Sequence, residues 1–255
     1  MGDNMKALIT GARSGIGYNT GIYLLKKGYE VVFSVHRESE IDPLKEKLTY
    51  LHLKNYSIIK LDITNSLDRK KVINLDIDIL LLNASIGIGG SLLDMDICKI
   101  KENFDVNVLA NLELSRIFLG DLFIKGKIGK IIFISSLVSN FPINYLGSYC
   151  ISKASVKMMV KVLKKELKLV NKEIDIKMIE PGIYNTGFND VMFTYINEEK
   201  ISLEKKKLFK KMGSNNLNLV SKTIYKSIND NSNKLIYRTS IIDSIIVKIY
   251  HLFFS

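Results

Sequence analysis

Tyr23 before Lys27, Tyr56 before Lys60 and Tyr149 before Lys153 are tyrosines that stand four residues before a lysine. On a helix that spacing puts both side chains on one face. A phenol titrates near pH ~10 and alone is a poor proton donor at neutral pH, but an ammonium one turn away lowers that value. Each pair is therefore a candidate proton donor with a tuning lysine. Spacing alone does not choose among them in so lysine-rich a chain, so the choice falls to the surroundings.

Other chemistries find less support. Cys98 and Cys150, two cysteines in 255 residues, make neither a disulfide framework nor a metal set, and they suit a reducing cytosol. His36, His52 and His251 are scattered, so neither a histidine metal site nor a Ser-His-Asp set is supported. The net charge of +11 comes from lysines spread along the chain rather than gathered in one arm. They read as a solvated surface, and nucleic-acid binding is not expected. The opening MGDNMKALITG does not read as a signal peptide, because its short apolar run meets glycine at once. The expected location is cytoplasmic.

Positioning a proton donor takes a scaffold, and the hydropathy pattern supplies one. Short β-branched runs at 6–10, 30–35, 57–62, 77–82, 130–135 and 175–180 alternate with longer amphipathic segments such as 155–170. Strands that are apolar almost throughout are buried on both faces, which predicts a parallel sheet with helices on either side. The expected fold is one doubly wound α/β domain over residues 1–255. Ligands of such sheets bind beyond the carboxyl ends of the strands, where strand order reverses.

The first strand runs into LITGARSGIG, where Gly11, Gly15 and Gly17 allow a tight turn and close backbone approach to a diphosphate. Arg13, Ser14 and Ile16 complete that turn. TGARSGIG is followed in order by an acidic residue after the third strand, LNAS, FDVNV, ISS, YCISK and EPGIYNT. The ordered series, from about residue 5 to 190, resembles the short-chain dehydrogenase/reductase family. The resemblance implies a Rossmann-type sheet of about seven parallel strands, a nicotinamide dinucleotide and hydride transfer between it and a carbonyl or alcohol.

It also chooses the tyrosine. Ser136 precedes Tyr149 by thirteen residues and lies just past the strand KIIFIS, which is the family's Ser–Tyr–Lys arrangement. At the same offset Tyr23 has Thr10, part of the glycine turn, and Tyr56 has Pro43, which has no side-chain donor. Tyr149 would protonate the developing alkoxide, Lys153 would lower its pKa and hold the nicotinamide ribose, and Ser136 would orient the substrate oxygen. Asn107 matches the asparagine that anchors a water leading protons away. Asp62, with Ile63 beside it, matches the position contacting adenine. Asn83 and Ala84 match the family's NNAG, although Leu82 and Ser85 replace its first Asn and its Gly. Pro181, Gly182 and Thr186 match the turn beside the nicotinamide carboxamide.

Cofactor choice turns on the end of the second strand. Val35 stands where a carboxylate would select NAD, followed by His36 and Arg37, and Arg13 reaches the same ribose. Two guanidinium groups without an opposing carboxylate suit a 2′-phosphate, so NADPH is expected over NADH. Residues 187–215 are the expected substrate lid, whose Phe188, Met192, Phe193 and Tyr195 fit an apolar ketone or aldehyde, lipid- or steroid-like. The apolar segment 240–255 is too short and too interrupted to span a bilayer. Packing against the domain is expected of it ahead of a partner subunit or a membrane surface. The sequence thus describes an NADP(H)-dependent carbonyl reductase or alcohol dehydrogenase, a homodimer or homotetramer. The alternative is a dinucleotide-binding sensor or scaffold without turnover, for which Ser136 would be superfluous.

Overall fold

The computed structural model describes residues 5–170, 173–196, 207 and 210–254. Seven strands form one sheet: β1 (Lys6–Ile9), β2 (Glu30–Val35), β3 (Tyr56–Lys60), β4 (Ile79–Leu82), β5 (Lys130–Ile134), β6 (Asp175–Glu180) and β7 (Ile236–Arg238). Their order is β3-β2-β1-β4-β5-β6-β7, and every pairing is parallel. The six apolar runs are strands. The three-residue β7 has too little sequence to show a period.

The unbroken apolar character of the strands is explained by two cores, one on each face. Leu8, Val32, Leu80, Ile131 and Met178 pack with Leu114, Phe118 and Leu122 of α5 (Asn111–Lys125) and Val156 and Val160 of α6 (Gly147–Val170). Ile9, Val31, Phe33, Leu81 and Ile132 pack with Leu24 of α1 (Gly15–Leu25), Leu44 and Leu48 of α2 (Ile41–Tyr50) and Val220 and Ile224 of α8 (Leu217–Asn229). Each such side chain contributes about 1.5–3 kcal/mol on burial. This rigid slab holds the ends of β1 and β4 side by side, where strand order reverses.

Three further helices matter to the site. A short helix, α3 (Ser66–Lys70), follows β3. The helix α4 (Ile97–Phe104) passes into α5 through a π-helical turn, Asp105–Ala110, which carries Asn107. Such turns often mark functional positions. Beyond β6, α7 (Phe188–Thr194) is the described part of the expected lid, and 197–206, 208 and 209 lie outside the described residues.

The last helix, α9 (Ile241–Phe254), corrects the packing expectation for the tail. Val247 is buried and Tyr250 meets Phe141 with ring centroids 5.5 Å apart, so one side does pack. Ile241, Ile242, Ile245, Ile246, Ile249 and Leu252 are exposed. No helix among the described residues is long and apolar enough to cross a membrane.

Candidate active site

The glycine turn sits at the crevice. Gly11 and Gly15 have φ of +64° and +61°, a region costly to a side chain, and a Cβ on Gly11 would lie 2.9 Å from the Ala84 Cα. A Cβ on Gly17 would lie 2.6 Å from the Asn83 Nδ2. That amide donates to the carbonyls of Thr10 (2.9 Å) and Gly11 (3.1 Å) and so clamps the turn. Ser14, the N-cap of α1, makes no side-chain capping bond, and the first turn of the helix holds no acidic residue. Its open N–H groups fit a diphosphate. Thr186 faces Gly15 across the cleft, its Cβ 3.1 Å from where a Cβ on Gly15 would be. Ile16 packs on the second core.

The proposed adenosine end is more engaged than expected. Glu40 reaches back to accept from the backbone N–H of His36 (3.1 Å) and of Arg37 (3.2 Å). Its other oxygen lies 3.3 Å from the Arg13 Nε. The expectation of two guanidinium groups without an opposing carboxylate is therefore wrong. Glu40 lies five residues past the end of β2, and only the turn Glu38–Glu40 brings it back. Asp62 accepts from the N–H (2.9 Å) and hydroxyl (2.7 Å) of Thr64, with His36 3.8 Å away. Burial opposes its ionisation, but these hydrogen bonds and the nearby His36 and Lys60 hold its pKa below the usual carboxylate value. Ile63 points into the core, and its carbonyl accepts from Arg69 at 2.7 Å.

Past the end of β5 the structure brings Ser136, Tyr149 and Lys153 together. Ser136 lies two residues past β5, and its hydroxyl is near enough to the phenol of Tyr149, which α6 carries on its first turn, to pull that phenol's pKa down. Lys153, one turn on, places its Nζ 5.6 Å from the Tyr149 ring centre and 3.1 Å from the Ile134 carbonyl. The helix begins eight residues earlier than its apolar period announced, at Gly147, and so includes Tyr149. Burial raises the Tyr149 phenol, partly offset by Ser136, and burial pushes Lys153 down to about 7. The expected lowering of the phenol by Lys153 is thus absent. Buried as they are, both groups favour their neutral forms.

Asn107 braces the site. Its Oδ1 accepts from the Ser85 hydroxyl (2.9 Å) and the Ile86 N–H (2.8 Å). Its Nδ2 donates to the Ile86 carbonyl (2.9 Å) and the Ser152 hydroxyl (3.0 Å). That exhausts the amide, so the water-anchoring role expected of it does not fall to its side chain. Ser85, the departure from the family glycine, is accommodated by that bond.

Sequence reasoning missed Glu180, which is fully buried at the end of β6. It accepts from Ser139 (3.3 Å), Asn140 (3.3 Å), Lys157 (2.9 Å) and Arg238 (2.8 and 2.9 Å). The carboxylate therefore ties the turn after Ser136 to α6, β6 and β7. The signal was a charged residue inside an apolar strand. Next to it, the carbonyl of Pro181 accepts from the Leu137 N–H at 3.0 Å, and Gly182 faces Asp243 of α9.

The opposite wall is apolar. Phe188 lies with its ring 5.5 Å from that of Tyr149, in a cluster with Leu146, Cys150, Met192, Phe193 and Ile196. Cβ atoms on Gly87 and Gly89 would meet the Met192 Sδ at 2.9 Å and the Ile196 Cγ1 at 2.7 Å. Beyond Ile196 opens a cavity of about 230 Å³, lined by Ile88, Met95 and Tyr195 and by Ser91, Asp94 and Lys99.

The sequence profile of the short chain dehydrogenase family matches residues 5–195. An NADP-dependent 3-hydroxy acid dehydrogenase of Schizosaccharomyces pombe is 27% identical over 201 residues, 75% of this chain and 76% of that protein. The 3-oxoacyl-(acyl-carrier-protein) reductase FabG of Rickettsia prowazekii is 31% identical over 189 residues, 72% of this chain and 74% of that protein. A crystallised short chain dehydrogenase/reductase of Burkholderia phymatum, in complex with NAD, superposes with a TM-score of 0.85 at 18% identity. That alignment covers 98% of this chain and 94% of the other, a likeness of fold.

Proposed function

The chain belongs to the short-chain dehydrogenase family, oxidoreductases acting on CH–OH and C=O groups with a nicotinamide dinucleotide, and we propose that it reduces an apolar ketone or aldehyde with NADPH. The carrying observation is that Ser136, just past β5, lies beside Tyr149, with the Lys153 Nζ 5.6 Å from the tyrosine ring centre. The dinucleotide, when bound, supplies the hydride. Ser136 and Tyr149 hold the substrate oxygen, and Tyr149 gives it a proton as charge develops. Lys153 holds the nicotinamide ribose. Gly11 to Gly17 seat the diphosphate, Asn83 and Ala84 support that seat, Asp62 and Ile63 flank the adenine, and Pro181, Gly182 and Thr186 border the carboxamide. The apolar lid and the 3-hydroxy acid and 3-oxoacyl substrates in the relatives' names support a substrate with an aliphatic body.

The preference for NADPH rests on Arg13 and the backbone N–H groups of His36 and Arg37 around one anion seat, which Glu40 fills. A 2′-phosphate would take that seat and turn Glu40 out. The specific contrary reading is that Glu40 accepts the ribose hydroxyls and selects NADH. Fluorescence titration of both dinucleotides separates the two. We expect tighter NADPH than NADH binding in the wild type, a further gain for NADPH in Glu40→Gln, and a loss confined to NADPH in Arg13→Ala. Tighter NADH in the wild type, loosened by Glu40→Gln, overturns the preference. Ile151, Met158, Val162 and Leu169 form an exposed apolar stripe along α6, which supports self-association there as a homodimer or homotetramer in the cytoplasm.

A further inference from the structure

The helix α9 wears its apolar side outward. Ile241, Ile242, Ile245, Ile246, Ile249 and Leu252 are between 45% and 79% exposed. At about 100° per residue these six share one face of roughly 140°. Val247, 4% exposed, lies on the opposite side, where the helix meets the domain. Tyr250, also turned inward, meets Phe141, and Asp243 accepts from the Thr239 hydroxyl at 2.8 Å and the Ser240 N–H at 3.0 Å. The one acidic group of the helix is thereby drawn into the fold. Lys248 borders the exposed face.

From this arrangement we infer that α9 is a docking helix for an anionic lipid surface, lying in the headgroup plane with its isoleucines in the acyl boundary. Charge decides among the occupants. From 207 to 254 the chain holds eight Lys and Arg residues against two acidic ones, Asp230 and Asp243. Asp230 is engaged by the Tyr237 hydroxyl at 2.6 Å. A two-fold pairing through α9 would bring two chains of net charge +11 together. An anionic bilayer accepts the same face and is attracted by the same charge. Lys248 has the reach to keep its ammonium among the headgroups while its stem lies along the apolar stripe.

The placement has a consequence for the substrate. The start of α9 lies against Gly182, where the Asp243 Oδ1 is 3.1 Å from the position of a Cβ. Docking would therefore set the Pro181–Thr186 turn near the bilayer, a source of apolar carbonyl compounds. This consequence rests on the proposed reductase reading, whereas the docking does not.

The test uses the full-length protein without substrate. Co-sedimentation is measured with phosphatidylcholine vesicles with and without phosphatidylglycerol, at low and high salt, alongside sedimentation velocity of the free protein. We expect the wild type to pellet with the anionic vesicles and to be released by salt. The double variant Ile245→Glu, Ile249→Glu, whose changes lie on the exposed face, should lose about tenfold or more of that binding at an unchanged melting temperature. A wild type that stays in the supernatant with anionic vesicles overturns the proposal, as does equal, salt-insensitive binding to neutral ones. So does a double variant that still pellets but sediments as a smaller species than the wild type, for then a second copy covers the face. Activity plays no part, so failure of the reductase reading leaves this result interpretable.

Discussion

On one side of the cleft, Glu180, a carboxylate with no exposed surface, gathers Ser139, Asn140, Lys157 and Arg238 from separate parts of the chain. On the other side Gly87 and Gly89 lie flush against Phe188, Met192 and Ile196. The first wall is directional. Each hydrogen bond fixes an angle as well as a distance, so the Ser136 turn and the helix bearing Tyr149 hold one relative position. The second is held by dispersion and burial, which are non-directional and permit repacking. On the proposed reading, the polar wall fixes the Ser136 turn and the helix of Tyr149, while the apolar wall, which Tyr149 itself joins, would meet the substrate body.

The largest effect should follow from touching the reacting group itself. Tyr149→Phe keeps the ring packed against Phe188 but removes the proton, and turnover should fall by about 10²–10⁴-fold with dinucleotide binding retained. Wild-type turnover in that variant, measured on any substrate the wild type reduces, would remove Tyr149 from the mechanism.

Next in size is Glu180→Ala. It leaves Lys157 and Arg238 partly buried without their anion, at a cost of roughly 3 kcal/mol, the low end for a broken buried pair because both cations retain some solvent. Thermal unfolding should shift down by roughly 6–12 °C. Gly87→Ala should act differently. Its new methyl displaces the Met192 sulfur or the Phe188 ring, side-chain atoms held by non-directional contacts, so stability drops by only about 1 kcal/mol while KM changes. If Gly87→Ala proved the more destabilising and left KM alone, the contrast between the walls would be reversed.

The last effect is a slope. Lys153 titrates at about 7 in the folded protein against 10.5 ordinarily, so between those values the unfolded chain binds more protons. Stability should therefore rise with pH from about 7 to about 10, above which ionisation of unfolded Tyr149, whose folded phenol is raised, opposes it. Lys153→Met should flatten that rise. Melting temperatures of the two proteins across the window test it, and parallel curves would mean that Lys153 is solvated.

Much of this was legible in the sequence because it is local. The strands announce themselves by apolar runs buried on both faces, and the glycine turn by three glycines that the structure shows to be sterically required. Ser136, Tyr149 and Lys153 follow from the ordered series of motifs and the family it resembles. What escaped was long-range. Glu40 folding back onto Arg13, Glu180 collecting partners as distant as Arg238, and Ser85 meeting Asn107 are pairings that no period encodes. The apolar tail misled for a related reason. Periodicity shows that a helix has an apolar face and says nothing about whether the domain turns that face inward.

Hydride transfer through this site is tested most directly with NADPH deuterated at C4 of the nicotinamide, each face labelled in turn, incubated with a panel of aliphatic ketones and aldehydes. The account predicts that one of the two labelled forms delivers its deuterium to the carbinol carbon of an alcohol product, and that Tyr149→Phe abolishes the product while still binding the dinucleotide. A protein that binds the dinucleotide yet transfers deuterium from neither face to any member of the panel would contradict it and favour a sensor of the same fold.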